Sequence, residues 1–323
     1  VSGESTMRKA LTLSIKAAVS VLLLYFTLAA VNIDAVVSRL SHIDARWAVF
    51  ALFILVVQLA VLAWRWRLLV VRCGADLPFA RLFRLSMIGV FFNQTLPSSA
   101  GGDAMRIWLL GKQSNWRIAA YSVLLDRVFG VVALAVLVLL CLPWTLGLVR
   151  NPVGRAALLL IGCCCIAAGI VFVALSWRRL EFLQRWTPTR HLAAAAGIAW
   201  SVLRSPSSFV AVFGSSIVVH LLTALAAWCA ARAVGADLPL LYSLYLVSPV
   251  ILLTVIPISI AGWGVREGAM VVAFGYAGLS QSDGLIVSLL FGFGYLVLGI
   301  AGGLVWVLTS NRRDGVSAAR PVT

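Results

Sequence analysis

Arg106 and Arg266 lie about 160 residues apart, and each follows a run that stops a helix. The first run is Pro97-Ser98-Ser99-Ala100-Gly101-Gly102. The second is Pro257-Ile258-Ser259-Ile260-Ala261-Gly262, with Gly264 just beyond. A helix that restarts after such a break leaves N–H groups unpaired and aims the positive end of its dipole into the gap. A phosphate suits such a place, and a guanidinium fork matches phosphate geometry. The chemistry suggested is anion binding. The competing reading is that Pro and Gly only bend the chain and the arginines snorkel or pair with acids. Asp103 is a favoured N-cap type at the first restart. Glu267 adjoins Arg266, but residues one apart on a helix do not face each other, so each arginine is expected to find a longer-range partner.

Other polar residues stand in apolar surroundings. Asp126-Arg127 lies about nine residues inside an apolar run. Ionisable groups at that depth cost at least ~2.5–3.5 kcal/mol each on insertion scales, so they face a cavity or a partner. Asp103 and Arg106 are the expected partners in an ion pair. Asn93 and Gln94 precede the first break and suit either the same cavity or free backbone groups. His220 is expected to make an interhelical hydrogen bond. Trp47, Trp64, Trp66, Trp116 and Trp144 read as interfacial anchors. The six cysteines form no C-x-x-C pair, so neither a metal site nor a disulfide is expected. Gly262-Trp263-Gly264 follows no strand and is not a dinucleotide fingerprint. No nucleophile–base or paired-carboxylate arrangement is legible, and no cofactor is expected.

The elements that must hold these residues are repeated. Gly74-Ala75-Asp76-Leu77-Pro78 recurs as Gly235-Ala236-Asp237-Leu238-Pro239, and Phe129-Gly130 recurs as Phe291-Gly292. With the breaks and arginines, three matches keep one order at nearly constant offset. A repeat in an apolar chain is a signature of membrane transporters with a site between the halves. The chain is 62% hydrophobic and 11% charged, far from a soluble domain, so a helical membrane protein follows. Spans are expected at about 11–31 (uncleaved), 47–71, 117–142, 156–176, 207–231 and 284–309. A single membrane domain, 1–310, is expected: repeat 1 about 47–142, repeat 2 about 207–309, a span with a basic linker at 143–206, and a disordered tail at 311–323.

The net charge of +15 would suggest nucleic acid in a soluble protein, but here it reads as cytoplasmic basic loops, and no nucleic-acid motif is present. The N-terminus, the end of the 47–71 span, the 177–206 segment (Arg178, Arg179, Arg185, Arg190, Arg204) and the tail are all basic. Placing them on one side makes 76–116 dip in and out from the cytoplasm and 237–281 dip from the opposite face. The expected fold class is therefore an all-α polytopic membrane protein, with six full transmembrane helices plus two re-entrant broken-helix hairpins in an inverted-topology repeat. The rival reading lets 79–96 and 240–256 span fully.

The break motifs also carry a resemblance. Leu96-Pro97 through Gly102-Asp103-Ala104-Met105-Arg106, Pro257 through Gly262-Trp263-Gly264-Val265-Arg266-Glu267, and Leu125-Asp126-Arg127-Val128-Phe129 resemble motifs of the lysylphosphatidylglycerol synthase transmembrane-region family, also called flippase-like. Asp103 stands for the usual Glu, Trp263 for a smaller residue, and Gly130 for an acid. The resemblance implies lipid handling in a bacterial inner membrane, and the basic N-terminus and tail place both termini in the cytoplasm. It also implies a flippase or translocator that moves an anionic lipid headgroup: a phospholipid, a polyprenyl phosphate or a hopanoid derivative. The headgroup residues expected are Arg106, Arg266, Asp103, Glu267, Asn93, Asp126 and Arg127. Membrane lipids are the expected partners, nucleic acid is not, and a lipid-synthesis enzyme and a second copy stay open. The soluble aminoacyl-transferase domain of larger relatives has no counterpart in the sequence, so enzyme activity is not expected. Two alternatives stand: a lipid-linked glycosyl- or phosphotransferase using Asp34 and Asp44, and a non-transporting accessory subunit of a lipid synthase.

Overall fold

The structure, a computed structural model, describes residues 42–95, 100–149, 151–175, 187–255 and 262–317. They form ten helices: α1 Ala45–Arg72, α2 Phe79–Thr95, α3 Gly101–Gly111, α4 Trp116–Leu148, α5 Pro152–Ala174, α6 Thr187–Arg204, α7 Pro206–Ala233, α8 Leu240–Thr254, α9 Val265–Tyr276 and α10 Gln281–Ser317. No strand occurs among the described residues. Five helices (α1, α4, α5, α7 and the α10 stretch to Thr309) are long and apolar enough to cross a membrane. The chain is an all-helical, multi-pass membrane protein. The span expected at 11–31, the basic residues Arg178, Arg179 and Arg185, and the tail from 318 lie outside the described residues.

Local chemistry sets the helix ends. Asp44, Asn115 and Asn151 each cap a helix, accepting from Arg46, Arg117 and Val153 N–H groups. Pro152 and Pro206 occupy first-turn positions, where the missing N–H costs nothing. The 143–206 stretch, read as a span with a linker, also contains α6. Its buried face is made of small residues, Ala193, Ala195, Ala196, Ala199 and Val202. The last helix runs on to Ser317.

The repeated pentapeptide is a repeated turn. Gly74 and Gly235 take positive φ, 99° and 64°, which a side chain would strain. Ala75 N–H donates to Val70 O (3.1 Å) and Ala236 N–H to Ala231 O (2.9 Å), the long bond of a Schellman cap. The same Leu carbonyl is then met from the preceding helix, at Leu77 by Arg67 Nε (2.9 Å) and at Leu238 by Trp228 Nε1 (3.1 Å). Each turn leads to a pair of short helices packed on each other, α2 with α3 and α8 with α9.

The two halves interlock. α1 packs on α7, and they run antiparallel. Asp44 N–H, at the start of α1, donates to Ala233 O at the end of α7 (2.8 Å). Gln58 Nε2 donates to Thr223 Oγ1 near the middle (2.6 Å). Arg72, at the end of α1, reaches Ser205 and Ser208 where α7 begins. Partners are exchanged between halves: α2 lies on α10, and α8 lies on α4.

Close approach of α2 and α10 depends on glycine. A Cβ at Gly302 would sit 2.1 Å from Met87 O, whereas one at Gly214 would meet nothing within 4 Å. Gly302→Ala must push α2 away from α10 and is expected to cost about 1–3 kcal/mol. Thermal unfolding in detergent should show a lowered midpoint for Gly302→Ala and little change for Gly214→Ala. Equal midpoints would contradict this packing.

Candidate functional site

Pro97 and Pro257 lie outside the described residues, but the helix starts that follow them are described. α3 begins at Gly101 behind Ala100, so Asp103 is its third residue and not its N-cap. The cap comes from α2 instead. Asn93 Oδ1 accepts Gly102 N–H at 2.8 Å, and a Cβ on Gly102 would stand 2.2 Å from Gly89 O. The break thus needs its glycine for contact as well as for turning. α9 begins after Gly264 (φ 85°), with Gly262 also at positive φ (81°). Glu267 Oε2 folds back to accept Gly264 N–H at 2.7 Å. Arg106 stands in the second turn of α3 and Arg266 in the first turn of α9, so the two are not at matching turns.

Asp126 is the hub of the first half. Its Oδ1 accepts from Arg65 Nε (2.8 Å) and its Oδ2 from Arg106 Nη2 (3.0 Å). Asp103 accepts from Arg106 Nη1 (3.3 Å) and from Arg127 Nε. Arg65 also donates to Ser216 Oγ on α7 (3.0 Å). Three guanidiniums share two carboxylates, which leaves one positive charge over. The Arg106 guanidinium lies 4.0 Å from the Trp66 ring centre. Trp66 is fully buried and donates Nε1–H to Ser122 Oγ (3.2 Å), so it is no interfacial anchor. Trp64, Trp116 and Trp144 are exposed, and Trp47 packs edge-on against Trp228.

Arg266 is held differently. Its Nη2 and Nε donate to Glu267 Oε1 (2.6 and 3.1 Å), and Nε also meets Ser288 Oγ (3.0 Å). The adjacent acid is its partner, against the longer-range one expected. Side chains lean toward a helix N-terminus, and Glu267 bends back to cap its own first turn, so the two meet over that turn. Ser288 corresponds to Asp126 in the repeat that aligns Phe129 with Phe291. Trp263 lies against Arg266 (4.9 Å). The paired glycines also gain a reason. A Cβ on Gly292 would fall 2.3 Å from Arg266 Nη2, and one on Gly130 would fall 3.3 Å from Arg65 Nη1. Each glycine leaves room for a guanidinium.

Two cavities, of about 260 and about 300 Å³, lie side by side among these groups. Arg106, Asp103 and Asp126 line the first, and Arg266 lines the second. Val90, Asn93, Arg127, His220 and Thr254 line both. Arg106 and Arg266 side chains are only 7% and 8% exposed, but that of Arg127 is 53% exposed. Of these three arginines, Arg127 has the most exposed side chain, and it lines both cavities. Ser86 Oγ and Arg106 Nε, from residues on the first cavity wall, are buried with no hydrogen-bond partner among the described residues. His220 Nε2–H donates to Gly130 O (2.9 Å), the expected interhelical bond.

Glu267 is fully buried and lines neither cavity. Asn93 both caps α3 and faces the cavities. The sequence did not reveal Arg65, Gln58 and Tyr295. Tyr295 OH donates to Gln58 Oε1 (2.9 Å) on the wall of the second cavity. Asp34 lies outside the described residues, and Asp44 is committed to a helix cap. Outside the spans, burial pushes the Cys73 thiol up to about 12, so it stays protonated and unreactive near neutral pH.

The model of a family described as the lysylphosphatidylglycerol synthase transmembrane region matches residues 13–303. UPF0104 membrane protein MJ1595 of Methanocaldococcus jannaschii is 25% identical over 95 residues, 29% of this chain and 28% of that protein. The match therefore spans under a third of that relative's length.

Removing Asp126 strands two buried guanidiniums. Asp126→Ala is expected to cost about 3–5 kcal/mol, seen as a large fall in the unfolding midpoint in detergent. Asp103→Ala should cost less, because Arg106 keeps Asp126 and Arg127 reaches open space. The reverse order would contradict the hub role of Asp126.

Proposed function

The chain belongs to the lysylphosphatidylglycerol synthase transmembrane-region family, and from that premise we propose that it carries an anionic lipid headgroup between the leaflets of its membrane. One observation carries the reading: the two adjoining cavities share Arg127, whose side chain is 53% exposed, and Arg106 and Arg266 line one cavity each. A phosphate entering this space would meet a surplus positive charge and the free guanidinium N–H groups of Arg127. The acyl chains would stay in the bilayer. Arg106 and Arg266, clamped by carboxylates, hold the two hairpins in shape and set the field, while Arg127 makes the contact.

The alternating-access part rests on an inverted repeat. In its favour, α1 and α7 are equivalent by sequence yet run antiparallel, and each short helix pair packs on a long helix of the other half. α2, α3, α8 and α9 have 17, 11, 15 and 12 residues. At ~1.5 Å per residue none reaches the ~30 Å of a hydrocarbon core, which favours re-entrant hairpins over full spans. One half rocking against the other would open the shared cavity to each face in turn. A bacterial inner membrane with both termini in the cytoplasm fits the basic segments.

The test is leaflet exchange in proteoliposomes, using tail-labelled phosphatidylglycerol and a membrane-impermeant quencher. The protein should speed exchange above empty vesicles. Arg127→Gln should slow it about tenfold or more, as expected for loss of a charged hydrogen bond, and Arg106→Ala/Arg266→Ala should abolish it. Exchange no faster than in empty vesicles, or an Arg127→Gln variant as fast as wild type, would contradict the proposal.

A further inference from the structure

A third cavity, of about 290 Å³, shares no wall residue with the other two. It lies between α5 and the α8–α9 pair, with the end of α4 beside it. Its polar wall residues, Thr145, Asn151, Tyr245 and Tyr276, gather at one end, where α4 and α9 finish and α5 begins. Tyr245 stacks there on Trp144, and a Cβ on Gly154 would lie 3.7 Å from the Tyr276 ring. Two of these groups are already spent. Thr145 Oγ1 donates to Cys141 O (3.1 Å), and Asn151 Oδ1 accepts the Val153 N–H (2.8 Å). From that end the wall turns aliphatic, down to Ile161 and Leu253. Between Val153 and Ile161 it runs about 12 Å along α5, at ~1.5 Å per residue. One leaflet of a ~30 Å hydrocarbon core is about 15 Å deep.

The polar end also has the character of a membrane–water boundary. Trp144 and Tyr276 are exposed there, as aromatic residues at that level commonly are. Arg155 closes α4 from the same turn, donating to Leu146 O and Val149 O (2.7 and 2.6 Å). A polar ligand inside would give up its hydration for few open partners. An apolar cavity of about 150 Å³ already stays dry and takes up benzene, so this larger one calls for an apolar occupant. Val153 and Ala157 on its α5 wall are themselves exposed, so the cavity is not sealed from the bilayer, where the apolar material at hand is lipid tails.

We infer that this cavity is a binding site for one acyl chain of a membrane lipid, whose headgroup stays at the α4–α5 turn. The site is separate from the arginine cavities and stands whether or not the protein moves lipid. Its width comes from small residues on opposite walls, Ala157 on α5 and Ala269 and Ala273 on α9. A larger side chain at any of these would take the place of the tail.

The experiment titrates the purified full chain in detergent with phosphatidylcholine carrying a diazirine on one tail, and maps the photolabelled peptides by mass spectrometry. Label on the 157–161 and 249–253 segments should saturate at about one lipid per chain. Label at Ile300 and Leu304, exposed on α10, should instead rise in step with added lipid. Ala157→Phe and Ala273→Phe each displace about two methylenes or more, so each should raise the lipid needed for half-labelling about tenfold or more. Ala167→Phe, on α5 but outside the cavity wall, should leave it unchanged. An unfolding midpoint near that of wild type shows that a filled variant is folded, and the two variants alter different helices. Cavity label that rises in step with the α10 label would overturn the inference. So would saturable label that both filled variants retain. A wild-type cavity that takes no label at any lipid level, as when a helix of a second copy covers it, would overturn it as well.

Discussion

Asp126 is a carboxylate with no exposure to speak of, and two guanidiniums from two other helices close on it. Everything near the cavities depends on that arrangement. Charges in an apolar interior persist only when paired and hydrogen-bonded. Arg65 on α1 and Arg106 on α3 therefore fix both helices against α4, and Ser216 ties α7 to the same point. The remaining guanidinium, Arg127, is one residue along α4 from the hub. Its Nε pairs with Asp103 instead, and its side chain lines both cavities. The surplus charge is thus placed by the same contacts that hold the bundle, which links packing to the chemistry of the cavity.

The second half solves the same problem with fewer charges. Ser288 stands where Asp126 would, and Glu267 supplies the carboxylate from the neighbouring residue. The Arg266 cluster is consequently neutral and closed, whereas the Arg106 cluster is positive and open. The halves share a turn, a break and a glycine that leaves room for a guanidinium, but not their electrostatics. That asymmetry puts the exposed cation near the middle of the double cavity instead of at either end.

Much of this was legible. The pentapeptide stood out because a Schellman turn demands glycine, and the five long described helices because their apolar runs match a bilayer. An ion pair of Asp126-Arg127 with Asp103 or Arg106 is one of the two readings open in the sequence, beside a cavity, and the structure shows both the pairs and a cavity lined by them. Arg65 belongs to the basic end of the 47–71 span, which reads as cytoplasmic, because a basic residue near a helix end looks the same in sequence whether it snorkels or turns inward. Its neighbour Trp66 was taken for an anchor for the same reason, since its Ser122 partner is 56 positions away. The i,i+1 rule misled at Glu267 because capping bends that side chain out of its usual path. Gln58 and Tyr295 carried no signal at all, being lone polar residues on helices whose register only the packing sets. α6 was missed because its buried face is alanine and valine amid basic residues.

The most direct measurement is a density map of the protein in nanodiscs containing phosphatidylglycerol. A phosphate peak is expected within hydrogen-bonding distance of the Arg127 guanidinium, inside the shared cavity. A cavity that holds only water, with lipid confined to the outer surface of the bundle, would contradict it.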